Sequence, residues 1–251
     1  MKIYAALSVV LLAGCQTTST PAPSPKRQAD AASYNTQLGI AYMQEGNLQL
    51  AKEKLERAEH EDGDNPQVHM ALGMLYQRLG NNATADNEFR HALRLAPEDP
   101  EISNVYAVFL CDTKRVDEGV KRFYAAARDR LYRTPEAAYT NAGVCLHSVH
   151  RDDEAIRSFQ QAITIRPSFA EATYQLADLE LQRGHASEAR ALIDRFLGSN
   201  PATADLLLVG ARSARALGDR LGEERYARKL RVDFPDSPQS RALKSSAPGP
   251  G

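Results

Sequence analysis

The chain has 251 residues, of which 31 are Lys or Arg and 32 are Asp or Glu, so its formal net charge is −1. Because the charges nearly balance, the protein has no strong global field with which to recruit nucleic acid or an acidic lipid surface. The composition therefore argues against a nucleic-acid-binding protein, while the length is ample for a sizeable core.

The first predicted element is a secretory signal over residues 1–14. Lys2 supplies a short positive start, and residues 3–12 form an apolar segment of ten residues. A helix needs about 20 apolar residues to cross ~30 Å of hydrocarbon, so this segment is too short to span a bilayer. We therefore expect the chain to be exported.

Leu12-Ala13-Gly14-Cys15 resembles the lipobox of bacterial lipoproteins, whose signal is cut before a cysteine that then carries acyl chains such as palmitate. The alternative is a buried cysteine that happens to follow a signal. Gln16 stands where the lipoprotein rule places an aspartate for retention at the inner membrane. The resemblance thus implies a lipid anchor at Cys15 in the outer membrane, facing the periplasm. Several acyl chains, at about 0.8 kcal/mol per buried methylene, make such an anchor durable.

Both ends of the mature chain are predicted to be disordered. Residues 15–31 contain the proposed lipidated cysteine and a stretch rich in Thr, Ser, Pro and Ala without apolar periodicity, which is typical of a tether. Residues 238–251 have too few apolar side chains to offset the entropy of ordering them.

The region between these ends repeats with a period of 34 residues, as the pairs Gly46/Gly80 and Gly184/Gly218 show. The self-comparison predicts six repeats in residues 32–237, with bounds 32–65, 66–99, 100–133, 136–169, 170–203 and 204–237. The third and sixth copies are degenerate. The sixth is rich in arginine, but nearby acidic residues nearly neutralise it, which favours a solvated end cap over a basic binding face.

The period and the residue types resemble the tetratricopeptide repeat. The second copy is the best match, with LGMLY at residues 72–76, then Ala85, Phe89, Ala92 and Pro97. Small residues allow two antiparallel helices to approach closely, and the proline stops the second helix. The resemblance implies an all-α fold, a right-handed superhelix (α-solenoid) of about six helix pairs, with a concave surface lined by the first helices.

The repeats contain no phosphate-binding loop, nucleophile motif or closely spaced set of cysteine or histidine ligands. His147 and His150, with Asp152 nearby, are the nearest approach to a metal pair, but His150 stands where four other repeats have glycine and is expected to be a solvated turn residue. The sequence therefore predicts no metal, no cofactor, no small-molecule substrate and no enzymatic activity.

Two cysteines are left once Cys15 is assigned to lipid. Cys111 and Cys145 lie on the first helices of the third and fourth repeats, which should pack side by side. An even remainder in an oxidising compartment favours a disulfide, and two free buried thiols are the alternative.

The concave face is the predicted partner-binding groove. It is mixed in character and weakly charged, which favours an extended or helical segment with apolar side chains as the ligand. The candidate groove residues are Gln67, Met70, Met74, Gln77, Asn104, Val108, Thr140, Val144 and His147.

A lipobox, a polar tether and six such repeats, with a cysteine in the third and in the fourth, resemble the type IV pilus biogenesis and stability lipoproteins of the PilF and PilW family. Residues 105–123 and 141–159 carry the resemblance most specifically. It implies a pilotin-like role, in which the protein binds the pilus secretin subunit and promotes its localisation or multimerisation at the outer membrane. The alternative is a general envelope adaptor for outer-membrane protein assembly or peptidoglycan enzymes.

Overall fold

The protein is represented by a computed structural model that describes residues 24–245, with side chains to residue 243. Over this range the chain forms thirteen α-helices and no strand. They are α1 (Pro25–Gln44), α2 (Leu48–Glu61), α3 (Pro66–Arg78), α4 (Asn82–Leu95), α5 (Pro100–Asp112), α6 (Val116–Arg128), α7 (Pro135–His147), α8 (Asp152–Ile165), α9 (Ala170–Gln182), α10 (Ala186–Leu197), α11 (Ala204–Ala216), α12 (Arg220–Asp233) and α13 (Pro238–Ser245). The predicted signal, Cys15 and residues 246–251 lie outside the described residues.

Consecutive helices pack in pairs, from α1 with α2 to α11 with α12, and each pair corresponds to one predicted repeat. Each first helix also packs against the first helix of the next pair, so α1, α3, α5, α7, α9 and α11 form one continuous layer. The predicted all-α solenoid of six helix pairs is confirmed.

Close contact between the two helices of a pair depends on small residues, as the second pair illustrates. Phe89 on α4 is fully buried, together with Ala85 and Ala92. A Cβ atom added to Gly73 on α3 would lie 2.8 Å from Cδ1 of Phe89, closer than packed carbon atoms approach. Glycine at this position therefore lets the phenylalanine ring fill the space between the helices.

The turn inside each pair requires a left-handed backbone conformation at one residue. Glycine provides it in four pairs, with φ between 72° and 84°: Gly46, Gly80, Gly184 and Gly218. In the third and fourth pairs the same conformation falls on Lys114 (φ 66°) and His150 (φ 60°). In the left-handed backbone conformation a Cβ atom lies too close to the residue's own backbone, so these two turns are strained.

The amino-terminal boundary differs from the prediction, because α1 begins at Pro25, inside the segment 15–31 predicted to be a disordered tether. Ser24 caps the helix, its side chain accepting a hydrogen bond from the backbone N–H of Arg27, and Pro25 occupies the first turn, where its missing N–H costs nothing. Ala32 is the first fully buried residue. The first turns of α1 thus project beyond the packed repeats as an exposed extension.

The carboxy-terminal boundary also differs, because residues 238–245 of the predicted disordered tail form α13. This helix packs on α11 and α12, and Leu243 is buried in a cluster with Leu206 and Tyr226. Gln239 adds a hydrogen bond of 2.5 Å from Nε2 to Asp205 Oδ1. The last repeat leaves an apolar face that has no following repeat to cover it, and docking Leu243 there stabilises a segment with few apolar residues.

Candidate functional site

The candidate site is a pocket between α5 and α7, on the layer formed by the first helices, and is called here the α5–α7 pocket. It has a volume of about 260 Å³ and is lined by Val108, Cys111, Asp112, Lys114, Phe123, Asn141, Val144, Cys145 and Ser148. Val108 and Val144 are 38% and 42% exposed. Two exposed valines beside an open cavity form an apolar surface on which a partner side chain can be buried.

A disulfide between Cys111 and Cys145 forms one wall of this pocket and joins α5 to α7, with 5.7 Å between the two Cα atoms. A Cβ atom added to Gly119 on α6 would lie 2.6 Å from Sγ of Cys111, so α6 can support the bridge from behind only with glycine at this position. The covalent link holds the two valine-bearing helices at a set distance. Oxidation of the pair stays a prediction for the purified protein.

Polar groups surround the apolar centre of the pocket. Asp112 accepts a hydrogen bond of 2.8 Å from the side-chain amide of Gln77 on α3. Asn141 donates from Nδ2 to Oδ1 of Asn104 at 3.4 Å, and Lys114 adds a positive charge at the α5–α6 turn. A partner segment lying over the valines would therefore meet side-chain amides and charges of both signs at the edges.

Some of the predicted groove residues have structural contacts that limit their availability to a partner. Met70 and Met74 on α3 are half-buried and pack against the core beneath them. Gln67 donates a hydrogen bond of 3.2 Å to Asp99. Thr140 is buried, and its hydroxyl donates to the backbone carbonyl of Glu136 at 2.8 Å, so the structure does not place it on the groove surface.

His147 and His150, the two histidines that the sequence suggested as the nearest approach to a metal pair, have different surroundings. Nδ1 of His147 is 2.8 Å from Oδ1 of Asp152, while His150 is exposed at the strained turn.

Within residues 24–243 a different group brings three ligating side chains together, namely His69, Glu88 and His91, whose ligand atoms all lie within 4.8 Å of one another. The hydrogen bond that His69 makes to the carboxylate of Glu88 raises the pKa of His69, and burial lowers the pKa of His91.

Sequence reasoning identified Val108 and Val144 but missed the polar edge of the pocket. Asp112 and Ser148 each follow one of these valines by four residues, and Asn141 precedes Val144 by three. Residues at these spacings share one face of a helix, so the helical period would have found them.

Comparison with known proteins identifies the family. A tetratricopeptide repeat model matches residues 26–199, and a second tetratricopeptide repeat model matches residues 174–238. The chain belongs to the tetratricopeptide repeat family.

This tetratricopeptide repeat protein is similar to PilF of Pseudomonas aeruginosa, described as a type IV pilus assembly protein, with 28% identity over 94% of this chain and 96% of PilF. The solved structure of P. aeruginosa PilF covers 88% of this chain and all of its own length, with a TM-score of 0.68 and 26% identity. The crystal structure of PilW, described as a widely conserved type IV pilus biogenesis factor, covers 85% of this chain and 98% of its own, with a TM-score of 0.68 and 28% identity. The resemblance to these pilus proteins expected from the sequence is confirmed.

In the part of the chain that the structure describes, no helix is both long enough and apolar enough to cross a membrane.

Proposed function

We propose that this protein is a non-enzymatic scaffold in type IV pilus biogenesis, which binds the pilus secretin subunit and promotes its localisation or multimerisation in the outer membrane. The observation that carries the proposal is similarity along nearly the whole chain to PilF and PilW, two proteins described by their part in pilus assembly or biogenesis. The fold supports binding rather than catalysis, because stacked helix pairs present an extended surface to a partner.

The α5–α7 pocket is the proposed contact for an apolar side chain of the secretin. Burying one Leu- or Phe-sized side chain there would contribute about 1.5–3 kcal/mol, and interfaces commonly depend on a few such anchors. Asn104 and Asn141 lie half-buried on the same side and can hydrogen-bond to the backbone of an extended segment. Val108 and Val144 are better anchors than Met70 and Met74, whose half-buried side chains already pack against the core.

The proposed anchor is an acylated Cys15, which would keep the repeats at the periplasmic face of the outer membrane. The support is the sequence LAGC after an apolar segment of ten residues. In cell fractionation, Cys15→Ala should remove the protein from the outer-membrane fraction. An intact mass that corresponds to an unmodified residue 15 in the wild-type protein would overturn the anchor.

The binding site is tested by replacing Val108 and Val144 together with glutamate and measuring affinity for the purified secretin. Because both side chains are already partly exposed, the double variant should fold normally, and circular dichroism checks this. We expect binding to weaken by about 100-fold or more, which corresponds to about 3 kcal/mol. Val232→Glu is the matched control, because Val232 is an exposed valine of α12, far from the pocket in the chain.

Two outcomes would contradict the proposal at different levels. Undiminished secretin binding by a folded Val108→Glu/Val144→Glu protein would move the site away from the α5–α7 pocket. No binding by the wild-type protein, together with normal surface pili in a deletion strain, would overturn the pilus role and favour a general envelope adaptor.

A further inference from the structure

His69 on α3 is a buried histidine with a defined hydrogen-bond arrangement. Its Nε2 lies 2.8 Å from the backbone carbonyl oxygen of Gly63, and its Nδ1 lies 2.7 Å from Oε2 of Glu88. The side chain is only 3% exposed. Because a carbonyl oxygen can only accept, Nε2 must carry a proton, and the contact with the carboxylate is a hydrogen bond only when Nδ1 carries a proton as well. A metal ion at Nδ1 would take the place of that second proton.

Two further ligand groups face the same point from α4. Glu88 and His91 are three residues apart in the helix and therefore share one face. The ring of His91 stacks on that of His69, with 3.9 Å between the ring centroids. The three ligand atoms lie within 4.8 Å of one another, and ligands around a tetrahedral ion with bonds of about 2.0–2.1 Å are about 3.3 Å apart. Because a metal ion lies in the plane of each imidazole that binds it, the partly exposed His91 would have to rotate out of this stack to direct a ring nitrogen at the ion.

We propose that His69, Glu88 and His91 bind a divalent transition-metal ion, with Zn²⁺ as the ion best matched to two imidazoles and one carboxylate. His69 would ligate through Nδ1 while its Nε2–H donates to the carbonyl of Gly63, the arrangement that orients metal-bound histidines in proteins. The partly exposed Glu88 and His91 leave a path for the ion and room for a water molecule as the fourth ligand.

The charges around the three ligands favour a cation. Glu59 on α2 acts electrostatically on His69, and Asp64 in the loop before α3 acts on His91, where Arg94 on α4 opposes it. Two carboxylates besides Glu88 against one guanidinium give a local excess of negative charge.

The bound ion would join α3 to α4 within the second repeat. It would thereby stabilise the helix pair that precedes the α5–α7 pocket in the chain, since a ligand bound only by the folded state raises the free energy of unfolding. The proposal rests on these three side chains and does not depend on the identity of the partner protein.

The test is isothermal titration calorimetry of the full chain, purified in detergent without a histidine tag, with Zn²⁺ as the probe. We expect one saturable site per chain with a Kd of about 10 µM or tighter, and a rise in Tm when Zn²⁺ is added. His91→Ala and Glu88→Gln should each weaken binding by at least about tenfold and remove the Tm shift. Both residues are partly exposed, so these variants are expected to fold, unlike replacements of the buried His69.

His60→Ala is the matched control, because His60 is an exposed histidine on α2 of the neighbouring repeat. It should leave the Kd within about twofold of the wild-type value. The proposal is overturned if the wild-type chain shows no saturable Zn²⁺ binding, or if His91→Ala and Glu88→Gln bind as tightly as the control.

Discussion

The disulfide between Cys111 and Cys145 joins α5 to α7 with 5.7 Å between Cα atoms, and the same two cysteines line the pocket where Val108 and Val144 are exposed. The bridge therefore has two consequences: it restricts the unfolded chain, and it sets the separation of the two proposed anchors.

Removing the bridge should lower stability substantially. The cysteines are 34 residues apart in the sequence, and closing a loop of this size is worth about 3–4 kcal/mol in the chain-entropy model. We expect Cys111→Ser/Cys145→Ser to unfold at a lower denaturant concentration than the wild-type protein under non-reducing conditions. The difference should vanish when the wild-type protein is reduced. If both thiols of the denatured wild-type protein react with an alkylating agent before reduction, the pair is not oxidised.

Gly73→Ala should destabilise the second repeat, because the new methyl group would lie 2.8 Å from the ring of Phe89. We expect a loss of about 1–3 kcal/mol, measured by urea unfolding. Phe89→Leu should be less harmful in the Gly73→Ala background than alone, since it removes the clash. Gly198→Ala is the control, because Gly198 has right-handed backbone angles (φ −65°) and an added Cβ would make only ordinary contacts. Equal effects of the two alanine substitutions would contradict the packing argument.

His150→Gly should stabilise the protein, because glycine adopts the left-handed conformation of this turn (φ 60°) without a clash. Relief of about 1–2 kcal/mol of strain exceeds the added entropy of the unfolded chain, so we expect a net gain of about 0.5–1 kcal/mol. The reverse change at the equivalent turn, Gly80→Ala, should destabilise (φ 75°). Thermal unfolding measures both, and a lower Tm for His150→Gly would show that its side chain makes a compensating contact.

Protonation of Asp86 in acid should lower the free energy of unfolding of the protein. Its Oδ1 accepts hydrogen bonds from the hydroxyl of Tyr106 at 2.6 Å and from Nη1 of Arg115 at 2.7 Å. Burial alone would raise the pKa of Asp86, but these two hydrogen bonds and the positive charges of Arg115 and Arg90 together outweigh burial and hold the pKa below the ordinary value of 3.8. The carboxylate therefore stabilises the fold above the unfolded-state pKa of about 3.9, and this contribution is lost as the pH falls through the lower folded-state value.

We accordingly expect Asp86→Asn to lose about 1–3 kcal/mol at pH 7 and progressively less as the pH falls below the ordinary carboxyl pKa of about 3.9, measured by urea unfolding across pH. Asp117→Asn is the comparison, since Asp117 pairs with Arg151 but is 89% exposed and should cost little. A difference between Asp86→Asn and the wild-type protein that does not change with pH would contradict the assignment.

The repeat architecture could be predicted because its determinants are local and periodic. Glycines spaced by 34 residues mark the turns of four of the six pairs, and Phe89 with its small neighbours marks the contact between paired helices. The same periodicity placed Cys111 and Cys145 on adjacent first helices and Val108 and Val144 on their exposed face. Each of these inferences needs only the position of a residue within its repeat, so no tertiary contact had to be known.

The helices at the two ends of the solenoid and the cluster of His69, Glu88 and His91 could not be predicted, because they depend on contacts between segments that are distant in the sequence. α13 forms because Leu243 finds the apolar face that the sixth pair leaves open, and its composition alone does not reveal that face. Nothing in the sequence between His69 and Glu88, 19 residues apart, indicates that their side chains meet at 2.7 Å. The spacing of Thr140 likewise predicted a place in the groove, yet its hydroxyl donates a hydrogen bond to the backbone of its own helix. Sequence periodicity determined which residues occupy equivalent positions, whereas burial and hydrogen bonding, which depend on the packed neighbours, decided what each of them can bind.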